Sequence, residues 1–350
     1  MRDLRPLPKA NLHLHLTGSL RPATLVELAD RYGLARPSPL RAGAVHGWAA
    51  FQERYDTARA VLRTPADLTR AVAEAAEDSA ADGGGWLELQ VDPTSYAERL
   101  GGLEPVVEAV LAGAAGRAAG IVLATSWAAA PEHATRVARL AARHAGAGVV
   151  GFGISNDERL GRVADFVPAA RVAADAGLLV TPHAGFYEAA WHVRDCVRLL
   201  GAQRIGHGLS AVGDPAVLAL LAERGVTLEV CPSSYPPLGV TADLAATPLR
   251  PLLDAGVRVA LGPDDPLLFQ HGLADQYATA RSELGCSDPE LAELARYSIE
   301  ASAAPAAVRR AMLAGVERWL GGMQEDGGRV ALTEVASAVD GPRPTPLRRS

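Results

Sequence analysis

Lysine is almost missing from this chain of 350 residues, because Lys9 is the only one and nearly all of the positive charge is arginine. Schiff-base chemistry on a buried lysine is therefore disfavoured, since the one candidate precedes the first predicted strand. Cysteine is scarce too, and Cys196, Cys231 and Cys286 lie far apart with no Cys-x-x-Cys pair. This odd, scattered set does not describe a disulfide scaffold and indicates a reducing cytoplasm.

Long apolar runs and basic stripes are missing as well. No uninterrupted apolar stretch approaches the roughly 20 residues that a membrane span needs, and the first residues carry charges and two prolines. The 34 basic and 40 acidic side chains give a formal charge of −6, which disfavours a nucleic-acid partner held through its phosphates. We therefore expect a soluble, unsecreted protein that acts on a small molecule and binds neither nucleic acid nor membrane.

Eight short β-like runs recur along the chain, and an alanine-rich helical stretch follows most of them. This rhythm is typical of βα units that build a parallel sheet, and eight of them predict a single (β/α)8 TIM barrel. The runs end at Leu16, Val91, Thr125, Ile154, His183, Gly208, Cys231 and Gly262.

The connection between the first two predicted strands is unusually long. Residues 17–84 exceed what one crossover helix needs, and they predict a helical insertion with helices over 22–32, 48–62 and 66–81. An insertion after a barrel strand lies on the carboxyl-terminal face, where it either roofs a pocket or packs peripherally. We assign residues 1–320 to the barrel and its insertion, and 321–350, rich in Gly, Pro and charge, to a partly flexible tail.

Two histidines stand two residues apart in NLHLHLTG, within the first predicted strand. Because side chains alternate along a strand, His13 and His15 point to one side and the intervening leucines to the other. Taken alone, the pair is equally well explained as hydrogen-bonded core histidines.

Further candidate ligands end three later strands, which raises the case for a metal. His183 ends the fifth strand and His207 the sixth, while Asp264 and Asp265 follow the eighth. All of them therefore belong to the face where barrel enzymes build their sites. Imidazoles with one carboxylate suit a divalent ion such as zinc, which lowers the pKa of a water toward 7 and makes it a nucleophile. Because no lysine lies on a later strand to bridge two metals, we expect one ion.

The segments PKANLHLHLTGSL, TPHAG, RIGHG and LGPDDPLLF resemble the adenosine deaminase family of the amidohydrolase superfamily in order, spacing and strand placement. The resemblance implies that His207 orients or deprotonates the attacking water and that Asp265 hydrogen-bonds the substrate. It implies zinc ligation by His13, His15, His183 and Asp264.

The resemblance fails at the residue that follows His-Ala-Gly. The family places a glutamate there to protonate the substrate ring, whereas this chain has Phe186. Phenylalanine carries no proton, and losing a general acid typically forfeits about 10² to 10⁴ in rate. Glu188, two residues further on, is the replacement candidate, and Tyr187 is a weaker one. A first-turn acid at a helix N-terminus explains Glu188 equally well.

Other departures fall on substrate contacts. Thr17 takes the position of an aspartate that contacts a ribose hydroxyl in the family, and Gly153 that of another aspartate. Asn156 replaces a glycine whose backbone approaches the purine, and Gln90 replaces an arginine. We therefore expect adenosine deamination to be weak or absent.

Three functions remain open from the sequence. The first is a zinc-dependent deaminase acting on a purine-like or other heterocyclic substrate, with Phe186 as part of its pocket. The second keeps the metal and changes the reaction to ring-opening, amide hydrolysis or another addition at a polarised carbon. The third is a binder of nucleoside-like ligands without catalysis.

Overall fold

The computed structural model describes residues 1–38, 40 and 44–322, and its sheet holds eight parallel strands in the order β1 to β8. The eight predicted runs end within one residue of the observed strands, and the predicted (β/α)8 barrel is confirmed. The strands are β1 (Lys9–His15), β2 (Gly84–Val91), β3 (Ala119–Ser126), β4 (Val149–Ser155), β5 (Leu179–Ala184), β6 (Arg204–His207), β7 (Thr227–Val230) and β8 (Arg258–Leu261).

The barrel closes between β1 and the segment that follows β8. An isolated parallel bridge pairs Leu14 with Asp264. The N–H of Asp264 donates to the carbonyl of His13 at 3.0 Å, and the N–H of His15 donates to the carbonyl of Asp264 at 3.1 Å. These backbone bonds fix Asp264 beside the two histidines of β1, so barrel closure itself assembles part of the site.

Helices cover the outside of the barrel and its carboxyl-terminal mouth. They are α1 (Pro22–Tyr32), α2 (Gly47–Arg59), α3 (Pro65–Ala81), α4 (Thr94–Leu100), α5 (Leu103–Ala114), α6 (Pro131–Arg143), α7 (Val167–Asp175), α8 (Ala190–Leu199), α9 (Pro215–Arg224), α10 (Leu249–Asp254), α11 (Pro266–Phe269), α12 (Leu273–Ser282), α13 (Asp288–Ala301) and α14 (Ala306–Gly321).

The long connection after β1 holds α1, α2 and α3. Helix α3 begins where Thr64 and Asp67 form a capping box, in which each side chain accepts the backbone N–H of the other residue. Helix α2 is anchored over the barrel mouth by Phe51, whose ring stacks on Phe269 of α11 at 5.6 Å between centroids. Aromatic burial of this kind fixes the position of a short covering helix.

The single lysine has a structural position at the amino-terminal end of the barrel. The Nζ group of Lys9 donates to the carbonyls of Leu4 and Leu7, both at 2.9 Å. Burial lowers the pKa of Lys9 to about 8. The ammonium therefore ties the N-terminal segment to β1, on the side of the barrel opposite the strand ends that carry the histidines.

Helix α14 is the last element that the structure describes. The part of the predicted tail from residue 323 onward lies outside the described residues. Within the described ranges, no helix is both long and apolar enough to cross a membrane.

Candidate active site

Four potential ligands meet at the carboxyl end of the barrel. The Nε2 atoms of His15 and His183 are 3.2 Å apart, and Oδ1 of Asp264 lies 3.4 Å from Nε2 of both His13 and His15. Donors about 2.0 to 2.2 Å from one tetrahedral ion are themselves about 3.3 to 3.5 Å apart. The three predicted histidine ligands thus lie within 4.8 Å of one another, and Asp264 approaches two of them at the spacing expected for donors to one ion.

Hydrogen bonds on the far side of two rings fix which nitrogen faces the centre. Nδ1–H of His13 donates to Oε2 of Glu229 at 2.8 Å, and Nδ1–H of His183 donates to the carbonyl of Ile154 at 3.1 Å. Both imidazoles therefore direct Nε2 toward the cluster. Such partners commonly set the tautomer and the basicity of metal-binding histidines.

The charge distribution of the cluster favours a cation. Burial lowers the pKa of His15 and of His183, so both rings are neutral and keep a lone pair. Burial acts the same way on His13, but hydrogen bonds to Asp264 and Glu229 outweigh it and raise its pKa to about 10. The carboxylates of Asp264 and Glu229 therefore stabilise positive charge at the point where the imidazoles meet. The residues present fit a divalent ion there.

A thiol also lies close to this cluster. Cys231 lies within 4.8 Å of His13, His207 and Asp264, measured between their potential ligand atoms. Burial raises the pKa of Cys231 well above its usual value. Because the thiolate is the form that binds metals, this cysteine is a poor ligand here.

His207 stands beside the ligands in a strained backbone conformation. Its φ is +67°, a region that residues other than glycine rarely occupy and that is often found at functional sites. Burial lowers its pKa to about 3, so the ring is neutral and can accept a proton. Within the described residues its Nδ1 is buried without a hydrogen-bond partner.

Asp265 projects into the cavity against the turn after β1. A Cβ on Gly18 would lie 1.8 Å from Oδ1 of Asp265, so only glycine leaves room for this carboxyl. In the described part of the chain that oxygen has no hydrogen-bond partner. Burial and the neighbouring Asp264 raise the pKa of Asp265 well above its usual value, which allows the carboxyl to donate a hydrogen bond.

His15, His183 and Asp264 of the donor cluster line a cavity that opens to solvent. Helix α2 supplies part of its wall through Trp48, Phe51 and Tyr55. The insertion therefore covers the cavity mouth, one of the two positions that its sequence allowed. Aromatic side chains combined with convergent polar groups are typical of sites for small heterocyclic ligands.

Only some of the predicted substrate contacts reach this cavity. Phe186 and Asn156 line it, and Asn156 takes the positive φ of +67° that an asparagine tolerates. Within the described residues, the cavity lining does not include Thr17, Gly153 or Glu188. Thr17 is fully buried, and its hydroxyl hydrogen-bonds the hydroxyl of Tyr96 at 2.7 Å.

Glu158 is a cavity residue that the sequence left without a function. Its Oε1 accepts the backbone N–H groups of Phe186, Tyr187 and Glu188 at 2.9, 2.6 and 2.5 Å. Three successive N–H groups form an anion-binding concavity, and here the anion is a side chain from the end of β4. Glu158 thereby fixes the loop that carries Phe186, whose ring lies 4.5 Å from that of His207.

Buried charged residues inside the barrel hold one of the candidate ligands in position. Arg204, which is 1% exposed, contacts Oε2 of Glu88 at 2.6 Å through Nη2 and Oε1 of Glu229 at 2.7 Å through Nε. Glu229 in turn holds His13. Sequence reasoning missed all three residues, although each is a charge within a short, otherwise apolar strand, a placement that normally requires a partner.

Comparison with known proteins adds the family context. The family model described as adenosine deaminase matches residues 8–319. A protein of Streptomyces virginiae, provisionally named an adenosine/adenine deaminase, is 51% identical over 92% of this chain and 99% of its own length. An adenine deaminase of Rhizobium leguminosarum bv. trifolii is 36% identical over 88% of this chain and 98% of its own length. The crystal structure of an adenine deaminase from Arthrobacter aurescens is 30% identical, with a TM-score of 0.81 over 90% of this chain and 99% of that one.

Proposed function

Because this chain belongs to the adenosine deaminase family, we propose that it catalyses the hydrolytic deamination of a purine-like or related heterocyclic substrate other than adenosine. The observation that carries the proposal is the convergence of three imidazoles and one carboxylate at the floor of an aromatic cavity. A chain that had lost catalysis would have no reason to keep this spacing.

The ion in this proposal is a single zinc held by the four donors of the cluster. When bound, it supplies Lewis acidity and lowers the pKa of water toward 7. The spacing of the donors and the neutral Nε2 atoms that they present support zinc over the harder, oxygen-preferring cations.

The residues beside the ligands accept a proton and position the substrate. His207 accepts the proton that the attacking water loses, because its neutral ring is fixed next to the ligands. Asp265 positions the substrate ring by a hydrogen bond, and Phe186 walls the cavity against the His207 ring. The amine then leaves as ammonia once a proton reaches the ring or the amino group.

The wall of the cavity argues against adenosine. Thr17, at the ribose-contacting position of the family, is turned to Tyr96 and is fully buried. Near the mouth, Trp48 and Phe51 offer ring surface where a sugar would need hydrogen-bond partners. These features support a substrate with less polar bulk than a nucleoside.

Two groups on the Phe186 loop could deliver the proton that the family glutamate normally provides. Tyr187 lines the cavity, but its hydroxyl donates to the carbonyl of Leu238 at 3.2 Å, and burial raises its pKa to about 12. Glu188 is half-buried, and its N–H is tied to Glu158. We propose Glu188 as the donor, with its side chain turning toward a bound substrate while Glu158 holds the backbone of the loop.

Phe186 also supports a second candidate function. An apolar ring against His207 suits a reaction in which His207 itself returns the proton of the attacking water to the leaving nitrogen, such as ring-opening or amide hydrolysis at a polarised carbon. Both reactions would use the same donors and the same cavity, so they differ in product rather than in the site.

We place this chemistry in a reducing cytoplasm. Cys196, Cys231 and Cys286 are all buried free thiols. Their separation supports the view that disulfide formation contributes nothing to this fold.

Deamination is tested by incubating the zinc-loaded protein with a panel of aminopurines, aminopterins and cyclic amidines. We expect ammonia release from at least one compound with a kcat of about 1 to 10³ s⁻¹, and slower turnover of adenosine. Mass spectrometry identifies the product, so a ring-opened product would indicate the second function. Tight binding without any product would show a binder and would refute the catalytic proposal.

In a Glu188→Gln background, which lacks the proposed natural donor, replacing Phe186 by glutamate is expected to raise aminopurine deamination by about 10² to 10⁴ in kcat, the usual contribution of a positioned general acid. The new carboxyl would stand where the Phe186 ring now lies, 4.5 Å from the His207 ring, and so beside the attacked carbon. Steady-state ammonia release on adenine and adenosine measures the change.

The matched control is Phe186→Gln, which has the shape of glutamate without the acid and should not gain activity. Glu188→Gln in the wild-type background should lower kcat by about 10²-fold or more if Glu188 is the natural donor. An unchanged rate in Glu188→Gln would remove that assignment, and an unchanged rate in Phe186→Glu would mean that the cavity does not hold aminopurines productively.

A further inference from the structure

Gln90 carries a buried side-chain amide without hydrogen-bond partners in the described residues. It is 2% exposed and lines the cavity, at the level of His15, its register partner across the β1–β2 pair. Strand alternation puts its side chain on the same inner face as Glu88. Neither Oε1 nor Nε2 of Gln90 has a partner among the residues that the structure describes. A buried amide without partners is costly, and a bound ligand is the usual explanation at a cavity wall.

Arg59 of the covering helix adds a second unused donor to this wall. Its Nη1 donates to Oγ of Ser95 at 2.9 Å, and its Nη2 lies 3.0 Å from Oδ1 of Asp56. Its Nε, by contrast, is buried with no acceptor within the described ranges. Gln90 and Arg59 thus both line the cavity with polar atoms that have no partner in the described part of the chain.

The charge of the cavity indicates a neutral ligand at this patch. Among the described lining residues Arg59 is the one arginine or lysine, and it is already paired with Asp56. The lining carries four carboxyl groups, those of Asp92, Glu158, Asp264 and Asp265. Without Asp264, which would hold the ion, and Asp265, whose raised pKa favours the protonated carboxyl, the lining still carries Asp92 and Glu158 against Arg59, which disfavours a phosphate group and so nucleotides as ligands.

We propose that Gln90 is a specificity-determining residue that reads the ring edge opposite the reacting carbon and selects a free base over its N9-substituted nucleoside. The proposal rests on the proposed deamination. In a 6-aminopurine the atom across the six-membered ring from C6 is N3, and N9 is its neighbour on the fused ring. A free base therefore presents an acceptor beside an N–H donor at that edge.

A primary amide matches such an edge with two hydrogen bonds, one donated from Nε2 to N3 and one accepted by Oε1 from N9–H. Glutamine pairs bidentately with adjacent donor and acceptor groups of adenine in the same manner elsewhere. A substituent on N9 removes the donor, leaves Oε1 of Gln90 unpaired and adds bulk against the wall. Sites built on buried hydrogen bonds reject analogues that lack the matching group.

The test measures binding rather than turnover. Hypoxanthine, 9-methylhypoxanthine and inosine monophosphate are titrated calorimetrically into the zinc-loaded protein. We expect 9-methylhypoxanthine to bind at least about 10-fold more weakly than hypoxanthine, and the monophosphate to bind no more tightly than the methyl compound. Equal affinities for the two bases, or tighter binding of the monophosphate, overturn the assignment. If neither base binds, the proposed purine-like substrate class fails with it.

Variants then assign the discrimination to the side chain. Gln90→Leu should bring the two affinities within about 3-fold of each other. Gln52→Leu is the matched control, because the Nε2 of Gln52 already donates to Oδ1 of Asp56 at 3.0 Å, and this variant should retain the ratio. Circular dichroism and zinc content establish that each variant is folded and loaded. A ratio that survives in Gln90→Leu overturns the role of Gln90, and the wild-type comparison decides the proposal if that variant does not fold.

Discussion

Replacing Asp264 by asparagine is expected to leave the purified protein with less than about a tenth of its zinc and to lower turnover by about 10³-fold or more. The carboxylate is the one anionic donor of the cluster, 3.4 Å from Nε2 of both His13 and His15. Asparagine is the informative substitution because Asp264 has a φ of +62°, which asparagine tolerates and alanine does not. Elemental analysis after dialysis and steady-state kinetics measure the two effects.

The neighbouring Asp265→Asn provides the matched control. It removes a carboxyl from the same turn, but this carboxyl faces the substrate cavity beside Gly18. We expect zinc content to stay near one ion per chain while the KM rises, because the ring loses its positioning contact. Full zinc occupancy in Asp264→Asn, with a folded protein by circular dichroism, would contradict the four-donor site.

The clustering of the candidate metal ligands could be anticipated because it depends on regularities of strands. Alternation alone puts His13 and His15 on one face of β1, and parallel strands that end together bring His183 to the same rim. The contact between Asp264 and strand β1 could not be predicted in this way. Its contact with β1 comes from the backbone bridge to Leu14 that closes the barrel, a pairing between residues 250 positions apart.

The residues that sequence reasoning missed act through partners on other strands or loops. Glu158 binds the loop of Phe186 with a single oxygen, and nothing in the local pattern of β4 distinguishes it from a solvated acid at a strand end. Gln90 stood out in the sequence only as a replacement for arginine. That both of its amide atoms lack partners depends on the side chains that surround it in the folded cavity.

The position of the covering helix α2 could not be predicted from the sequence for a different reason. Composition and length predicted helices in the insertion, and the observed α1, α2 and α3 lie close to the expected ranges. Whether they roof the pocket depended on packing between Phe51 and Phe269, which are far apart in sequence. Pair contacts of this kind follow from the tertiary fold and leave no periodic signal in the chain.

Replacing Arg204 by methionine is expected to destabilise the protein by about 3 to 5 kcal/mol, the largest stability effect that we predict for a single substitution. The guanidinium is 1% exposed and contacts both Glu88 and Glu229, which are fully buried. Without it, the buried carboxylate of Glu88 loses its ion-pair partner, and Glu229 keeps only its contact with His13. The urea midpoint of unfolding measures the loss, and Arg296→Met, which breaks ion pairs on the surface, should cost less than about 1 kcal/mol.

Neutralising the two partners should separate stability from metal binding. In the triple variant Arg204→Met, Glu88→Gln and Glu229→Gln, the uncompensated charges are gone, so much of the lost stability should return. Zinc affinity should nevertheless stay about 10- to 100-fold below wild type, because Glu229→Gln removes the carboxylate that accepts the Nδ1–H of His13 at 2.8 Å. Recovery of both properties together would mean that Glu229 serves the barrel alone and contributes nothing to the tautomer of His13. Recovery of neither would mean that Arg204 stabilises the barrel by packing and by its hydrogen bond to the carbonyl of Ala301 rather than by charge.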